Sequence, residues 1–269
     1  MATLVTFHAH PDDESIATGG VMAQASAAGH RVVLVLATRG ELGEVPDGFL
    51  LPGEEVWERR VVETARAAEI LGVARVEYLG YRDSGMDGEP TVHAPGSFWT
   101  ADVEEAANRL ADILREERAD VLTVYDENGN YGHPDHVQVH RVGVRAAELA
   151  GTPHVFEATM NRDYLRSVMR EHAAELAEAN APDAPDDDFL ETLGMPEALL
   201  TTRVDVVEFA ERKRAAMAAH QSQIAENSFF LSMPEDAFRL TFGIEWFIHR
   251  GVEPGPFETS LFASVDARG

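Results

Sequence analysis

Short apolar runs separated by helical patterns constrain the fold more than any other feature of this chain. The firmest is RVVLVLA at residues 31–37, β-branched and continuous. Weaker runs at residues 4–8, 76–79, 121–125 and 154–158 have the length of buried strands rather than of helices. Between them Val103, Ala107, Leu110 and Leu114 recur at three- and four-residue spacing, with Glu104, Glu105, Asp112 and Arg115 off that stripe. Residues 54–71 behave similarly and end at Gly72, the expected C-cap. Strands that are apolar on both faces need helices on both faces, so the expectation is α/β: a Rossmann-like, mostly parallel sheet. Past about residue 160 the regularity drops. A helix is expected at 163–180, an exposed Pro- and Asp-rich loop at 181–188, a helix at 206–220 and a late strand at 245–249. With no repeat and no clear linker, residues 1–269 read as one domain, a core of about 1–160 with a C-terminal elaboration over about 161–269.

Charge and cysteine content narrow the chemistry. The formal net charge of −25 repels phosphate backbones, so nucleic acid is not an expected partner. No apolar run reaches 18 residues and no leader pattern precedes the first strand, so no membrane contact and a cytoplasmic location are expected. Without cysteine, any metal must be held by His, Asp or Glu.

Two stretches supply such groups. His8-Ala9-His10-Pro11-Asp12-Asp13-Glu14 follows the first expected strand, and Tyr131-Gly132-His133-Pro134-Asp135-His136 follows the fourth. Ligands of open parallel sheets sit beyond the carboxyl ends of the strands, where both motifs lie. If Pro11 opens a helix, His10 and Asp13, three apart, point to one spot; His133 and His136 repeat that spacing around Pro134. Imidazole and carboxylate suit a divalent zinc ion, and three protein ligands with an open position make a catalytic rather than a structural site. The first βα turn has no GxGxxG, so a dinucleotide is not supported.

On these residues the chain resembles the PIG-L/LmbE-like family of zinc-dependent de-N-acetylases, over at least residues 4–145. Thr38-Arg39-Gly40-Glu41 and Arg82-Asp83-Ser84-Gly85-Met86 also fit its pattern. The resemblance implies His10, Asp13 and His136 as ligands of one Zn2+ per chain, another divalent metal being an alternative. It implies Asp12 as general base, His133 as the imidazole serving the leaving amine or the developing charge, and Tyr131 as support for the oxyanion. Asp135 is expected either to bond the His133 ring or to orient a ligand histidine. Glu44, Arg60, Asp83 and Met86 are the expected substrate contacts. His8 and His140 compete for the ligand set only if this assignment fails, and His220 fits a family feature without an assigned role.

The implied activity is hydrolysis of an N-acetyl group from a glucosamine-containing small molecule. The Arg82–Met86 segment and a chain with Lys213 as its one lysine lean toward the mycothiol branch, whose deacetylase acts on a GlcNAc-inositol conjugate. Alternatives are a mycothiol S-conjugate amidase, an antibiotic-sugar deacetylase and, from another class, a catalytically silent, metal-stabilised binding protein. A phosphate-ester hydrolase would usually want a second metal cluster, which the sequence does not offer. A homo-oligomer is expected from the family alone.

Overall fold

The computed structural model describes residues 1–171 and 187–266. The second half of the helix expected at 163–180, and most of the loop expected at 181–188, lie outside the described residues. The five expected strands are β1 (Thr3–His8), β2 (Arg31–Leu36), β3 (Arg75–Tyr78), β4 (Val121–Tyr125) and β5 (His154–Thr159). They pair in parallel, with Leu4 opposite both Val32 and Val121, and Val121 opposite His154. The late strand β7 (Ile244–His249) runs antiparallel to β5, and β6 (Thr202–Asp205) runs antiparallel to β7 at the edge. All seven form one sheet in the order β3-β2-β1-β4-β5-β7-β6. β6 escapes sequence reading because TRVD carries a single strong apolar residue, Val204. It is a strand because β7 offers it an open edge.

Strand side chains alternate between two cores, as the pleat requires. Val33 and Val35 join Phe7, Leu122 and Val124 beneath α4 (Val103–Glu117) and, after the one-turn α5 (Gly129–Gly132), beneath α6 (Pro134–Ala150). Val32, Leu34 and Leu36 join Leu4, Phe156 and Phe247 on the opposite face, under α2 (Gly19–Ala27) and α3 (Val56–Leu71). The helix Ala210–Ala219 packs on α3 and α2, so the chain beyond residue 160 covers the core as well as extending the sheet.

Helix ends follow local chemistry. Glu55 and Glu58 form a capping box at the start of α3, and Gly72 closes it in a left-handed conformation (φ 78°), as expected. The Asp102 side chain caps α4 by accepting from the Glu105 N–H. At α6, Pro134 occupies the first turn behind His133, as the spacing predicts. Pro11 does not open a helix: α1 (Asp13–Ala17) begins two residues later, because Asp12 takes φ 102° and breaks the helical path.

The chain order reverses between β1 and β4, since β2 and β3 lie to one side of β1 and β5 lies beyond β4. That switch point opens a crevice at the carboxyl ends of β1 and β4, and both histidine-rich motifs enter it.

Candidate metal centre and catalytic cleft

His10, two residues past β1, is buried with its ring among three carboxylates. Its Nδ1 lies 3.4 Å from Asp13 Oδ2, and its Nε2 lies 3.1 Å from Asp135 Oδ2 and 3.5 Å from Asp83 Oδ1. From the first turn of α6, His136 brings Nε2 to 3.3 Å from the same Asp13 Oδ2. Its ring is stacked on Tyr125, with centroids 4.3 Å apart. The His133 ring sits 4.7 Å from His10 and 5.1 Å from His136 by centroid.

These residues fit a divalent cation. Both ring nitrogens of His136 are buried without a hydrogen-bond partner among the described residues, an arrangement that costs free energy unless something else takes the lone pair. Ligand atoms of His10, His133 and His136 lie within 4.8 Å of one another, as do those of His10, Asp83 and Asp135. Asp13 Oδ2 faces a nitrogen of both His10 and His136. Burial alone would lower the His10 pKa, but Asp83, Asp13 and Asp135 raise it well above its ordinary value. Burial opposes ionisation of Asp13, yet His136 and His10 hold its carboxyl well below the usual range. The pocket thus carries excess negative charge, which a metal would balance.

Asp135 makes the second of its two expected contacts. It is fully buried, and its Oδ2 accepts the Ser84 N–H at 2.9 Å and faces His10, while Oδ1 accepts the Ser84 hydroxyl. Its carboxylate therefore orients His10, and only its backbone reaches His133. The Asp135 N–H donates to His133 Nδ1 at 3.1 Å, which leaves the ring proton of neutral His133 on Nε2. Burial first, then His10 and His136, push the His133 pKa down to about 3.

Asp12 lines the cleft beside Asp13, and its backbone sits outside the favourable left-handed well. Such a conformation costs about 1–3 kcal/mol and persists only where surrounding bonds over-determine it. Here the Asp12 N–H donates to Glu14 Oε2 at 2.9 Å, and Arg60 Nη2 donates to Asp12 Oδ2 at 3.2 Å. Burial pushes the Asp12 pKa up to about 6, against the opposing pull of Arg60.

The expected substrate contacts divide. Met86 lines the cleft and is exposed; Tyr131, the expected oxyanion support, also lines it and is exposed. Glu44 is exposed on the loop after β2. Arg60 is buried and spends its guanidinium on the Pro11 and Gly40 carbonyls and on Asp12, so it braces Asp12 instead of facing the opening. Asp83 also turns inward, accepting from the Leu42 and Gly85 N–H groups. His8 is a satisfied core histidine: Nδ1 meets the Tyr125 hydroxyl and Nε2 the Thr18 hydroxyl, each at 2.8 Å, and burial lowers its pKa to about 4. His140 bonds the Tyr125 carbonyl, away from the cluster. Sequence reasoning assigned no role to Ser84 or Glu14, although both lie inside the quoted motifs. It also missed Tyr125, whose only signal was its place at the end of β4.

The cleft has a volume of about 650 Å³. Asp12, Asp13, His136 and Tyr131 form its polar end, and Phe189, Leu193, Phe229 and Phe230 an apolar wall.

The family model described as GlcNAc-PI de-N-acetylase, PIG-L, matches residues 5–147, more than half the chain. The chain belongs to the PIG-L family. Across nearly its whole length this PIG-L chain is also similar to the 1D-myo-inositol 2-acetamido-2-deoxy-alpha-D-glucopyranoside deacetylase of Thermobifida fusca. The two are 40% identical over 284 residues, covering 97% of this chain and 98% of the relative. Among solved structures it resembles N,N'-diacetylchitobiose deacetylase from Pyrococcus horikoshii, with TM-score 0.54 and 21% identity over 98% of this chain and 88% of that one. It also resembles GalB, the 4-carboxy-2-hydroxymuconate hydratase from Pseudomonas putida, with TM-score 0.58 and 17% identity over 96% and 100% of the two chains. Both likenesses are of fold alone, and a fold by itself does not select a reaction.

Proposed function

We propose that this PIG-L chain is a metal-dependent N-deacetylase that hydrolyses the acetamide of a glucosamine-containing small molecule, with the GlcNAc-inositol conjugate named for its relatives as the first substrate to test. The observation that carries the reading is Asp13 Oδ2 facing a nitrogen of both His10 and His136, with the Asp12 carboxylate beside Asp13 on the cleft. Those three are the proposed ligands, with Zn2+ the proposed ion. A divalent ion held there supplies Lewis acidity toward the amide carbonyl and makes water easier to deprotonate.

The chain's own groups do the rest. Arg60 engages Asp12 Oδ2, which leaves Oδ1 to take the proton of the attacking water. His133 presents its Nε2 proton to the charge that develops as the carbonyl carbon becomes tetrahedral, and Tyr131 offers a hydroxyl at the cleft wall to the same charge. The proton that Asp12 took then passes to the departing nitrogen as the C–N bond breaks, giving acetate and a free amine. Met86 is the proposed sugar contact of the rim, and Glu44 a contact only if its loop closes over the substrate. We propose residues 1–269 as one functional unit, located in the cytoplasm; among the described residues no helix is long and apolar enough to cross a membrane.

One observation favours a second substrate. Phe189, Phe229 and Phe230 give the cleft an apolar wall that a sugar-inositol does not need, and amide cleavage of a mycothiol S-conjugate would use it. Amine release from N-acetylglucosamine, its inositol conjugate and a mycothiol S-conjugate, with wild type and Asp12→Ala at matched metal content, tests both. Asp12-dependent release supports the amidase, and the ranking picks the substrate. No release from a fully metal-loaded wild type across the panel refutes the proposed substrate class.

A further inference from the structure

Asp12 holds a backbone conformation that its own side chain disfavours, and Glu14 is the group that grips it. Glu14 is fully buried. Its Oε2 accepts the Asp12 N–H at 2.9 Å, while Oε1 accepts the Ser15 hydroxyl and faces His220 Nε2 at 2.7 Å. His220 arrives from 206 residues away, at the end of the helix Ala210–Ala219, and is itself fully buried. The turn that carries it is pinned to α3, because Ser222 donates its N–H and hydroxyl to the two oxygens of Glu63. A rigid line thus runs from α3 through His220 and Glu14 to the Asp12 peptide. On the far side Arg60 takes the Pro11 carbonyl and Asp12 Oδ2.

We propose that Glu14, held by His220, is a positioning residue: it locks the Asp12 peptide at its positive φ and so aims the Asp12 carboxylate into the cleft. This rests on the reading of Asp12 as the base. The pair is suited to the task by its geometry: one Glu14 oxygen meets the His220 ring and the other the Asp12 N–H, so the carboxyl group is fixed at both ends. Glu14 and His220 are fully buried and do not line the cleft.

Steady-state kinetics on the metal-loaded protein, with the N-acetylglucosaminyl inositol as substrate, test the proposal. A base displaced by about 1 Å loses on the order of 10²-fold, so Glu14→Ala is expected to lower kcat by about 10–100-fold. KM should stay within about twofold and metal per chain should not change, since the loss lies in the chemical step. Glu14→Gln keeps a carbonyl for the Asp12 N–H and is expected to recover kcat to within about fivefold of wild type. If Glu14→Ala does not fold, Glu14→Asp reads the same point, because it keeps the charge near His220 but withdraws the oxygen from Asp12; its kcat must fall likewise. An unchanged kcat per metal-loaded molecule overturns the proposal, as does a loss that only tracks metal content, or a Glu14→Gln variant as poor as Glu14→Ala. Asp12→Asn separates the two readings. If it stays active at full metal content, the base reading itself fails. If it is inactive while Glu14→Ala is unaffected, only the positioning role fails.

Discussion

Removing the Asp135 carboxylate should weaken metal binding before it touches chemistry. Three donors converge on this group: the His10 ring at 3.1 Å, the Ser84 N–H at 2.9 Å, and the Ser84 hydroxyl, which in turn accepts the Trp99 N–H. A carboxylate that holds the outer nitrogen of a ligand histidine fixes the ring and raises its basicity, and its loss costs about 10–100-fold in metal affinity. Asp135→Ala should therefore raise the metal dissociation constant by that factor, or about 1.4–2.7 kcal/mol. It also strands buried donors, so metal-free thermal unfolding should show a loss of about 2–4 kcal/mol. Asp135→Asn should be milder on both counts. Its carbonyl can replace Oδ2 toward His10 and the Ser84 N–H, and only the charge and the hydroxyl bond are lost. Competition with a chromophoric chelator measures the affinity. If Asp135→Ala keeps wild-type affinity yet loses turnover, the carboxylate acts on the reaction through His133, and the orienting argument is wrong.

Further outcomes follow from other parts of the structure. His136→Ala should lose metal and activity together, whereas His140→Ala should keep its metal, because that ring bonds the Tyr125 carbonyl; metal analysis after dialysis decides, and equal loss would require a new ligand set. Glu117 lies between Arg31 and Arg75 and is held at a pKa of about 2, first by Arg31 and then by Arg75. A carboxyl depressed in the folded state stabilises above its unfolded pKa and loses that contribution as pH falls toward the folded value. Glu117→Gln should then cost about 1–2 kcal/mol at pH 7, after discounting for the exposed side of Arg31. Denaturant titrations should show the difference shrinking between about pH 4.5 and pH 2, and a pH-independent difference would contradict the assignment. Leu114→Ala, under the sheet in α4, should destabilise by about 2–5 kcal/mol by the same assay, and a loss under 1 kcal/mol would mean that this core collapses around the gap.

The parallel half of the sheet was legible in the chain because its strands are covered on both faces. Burial on two sides forces continuous apolar runs, and RVVLVLA can be little else. β6 was not legible, since an edge strand needs only one good face and a partner, and TRVD has no pattern of its own. The site divides along the same line. The spacing of His10 and Asp13, and of His133 and His136, after strands in a parallel sheet was enough to bring imidazole and carboxylate to one place. It could not say that Arg60 turns inward to Pro11, Gly40 and Asp12, or that Asp83 faces His10, because both depend on how segments distant in the chain fold over each other.

What the sequence determined by itself is therefore local: periodicity, caps, and donor groups at fixed spacing near strand ends, each set by neighbours within a turn or two. The tertiary structure alone decided the partnerships. Asp135 serves His10 through 125 residues of separation, and His220 reaches Glu14 across 206. A side chain's direction is settled by whichever buried partner saves it from going unsatisfied, and that partner is known only once the sheet has brought distant loops together.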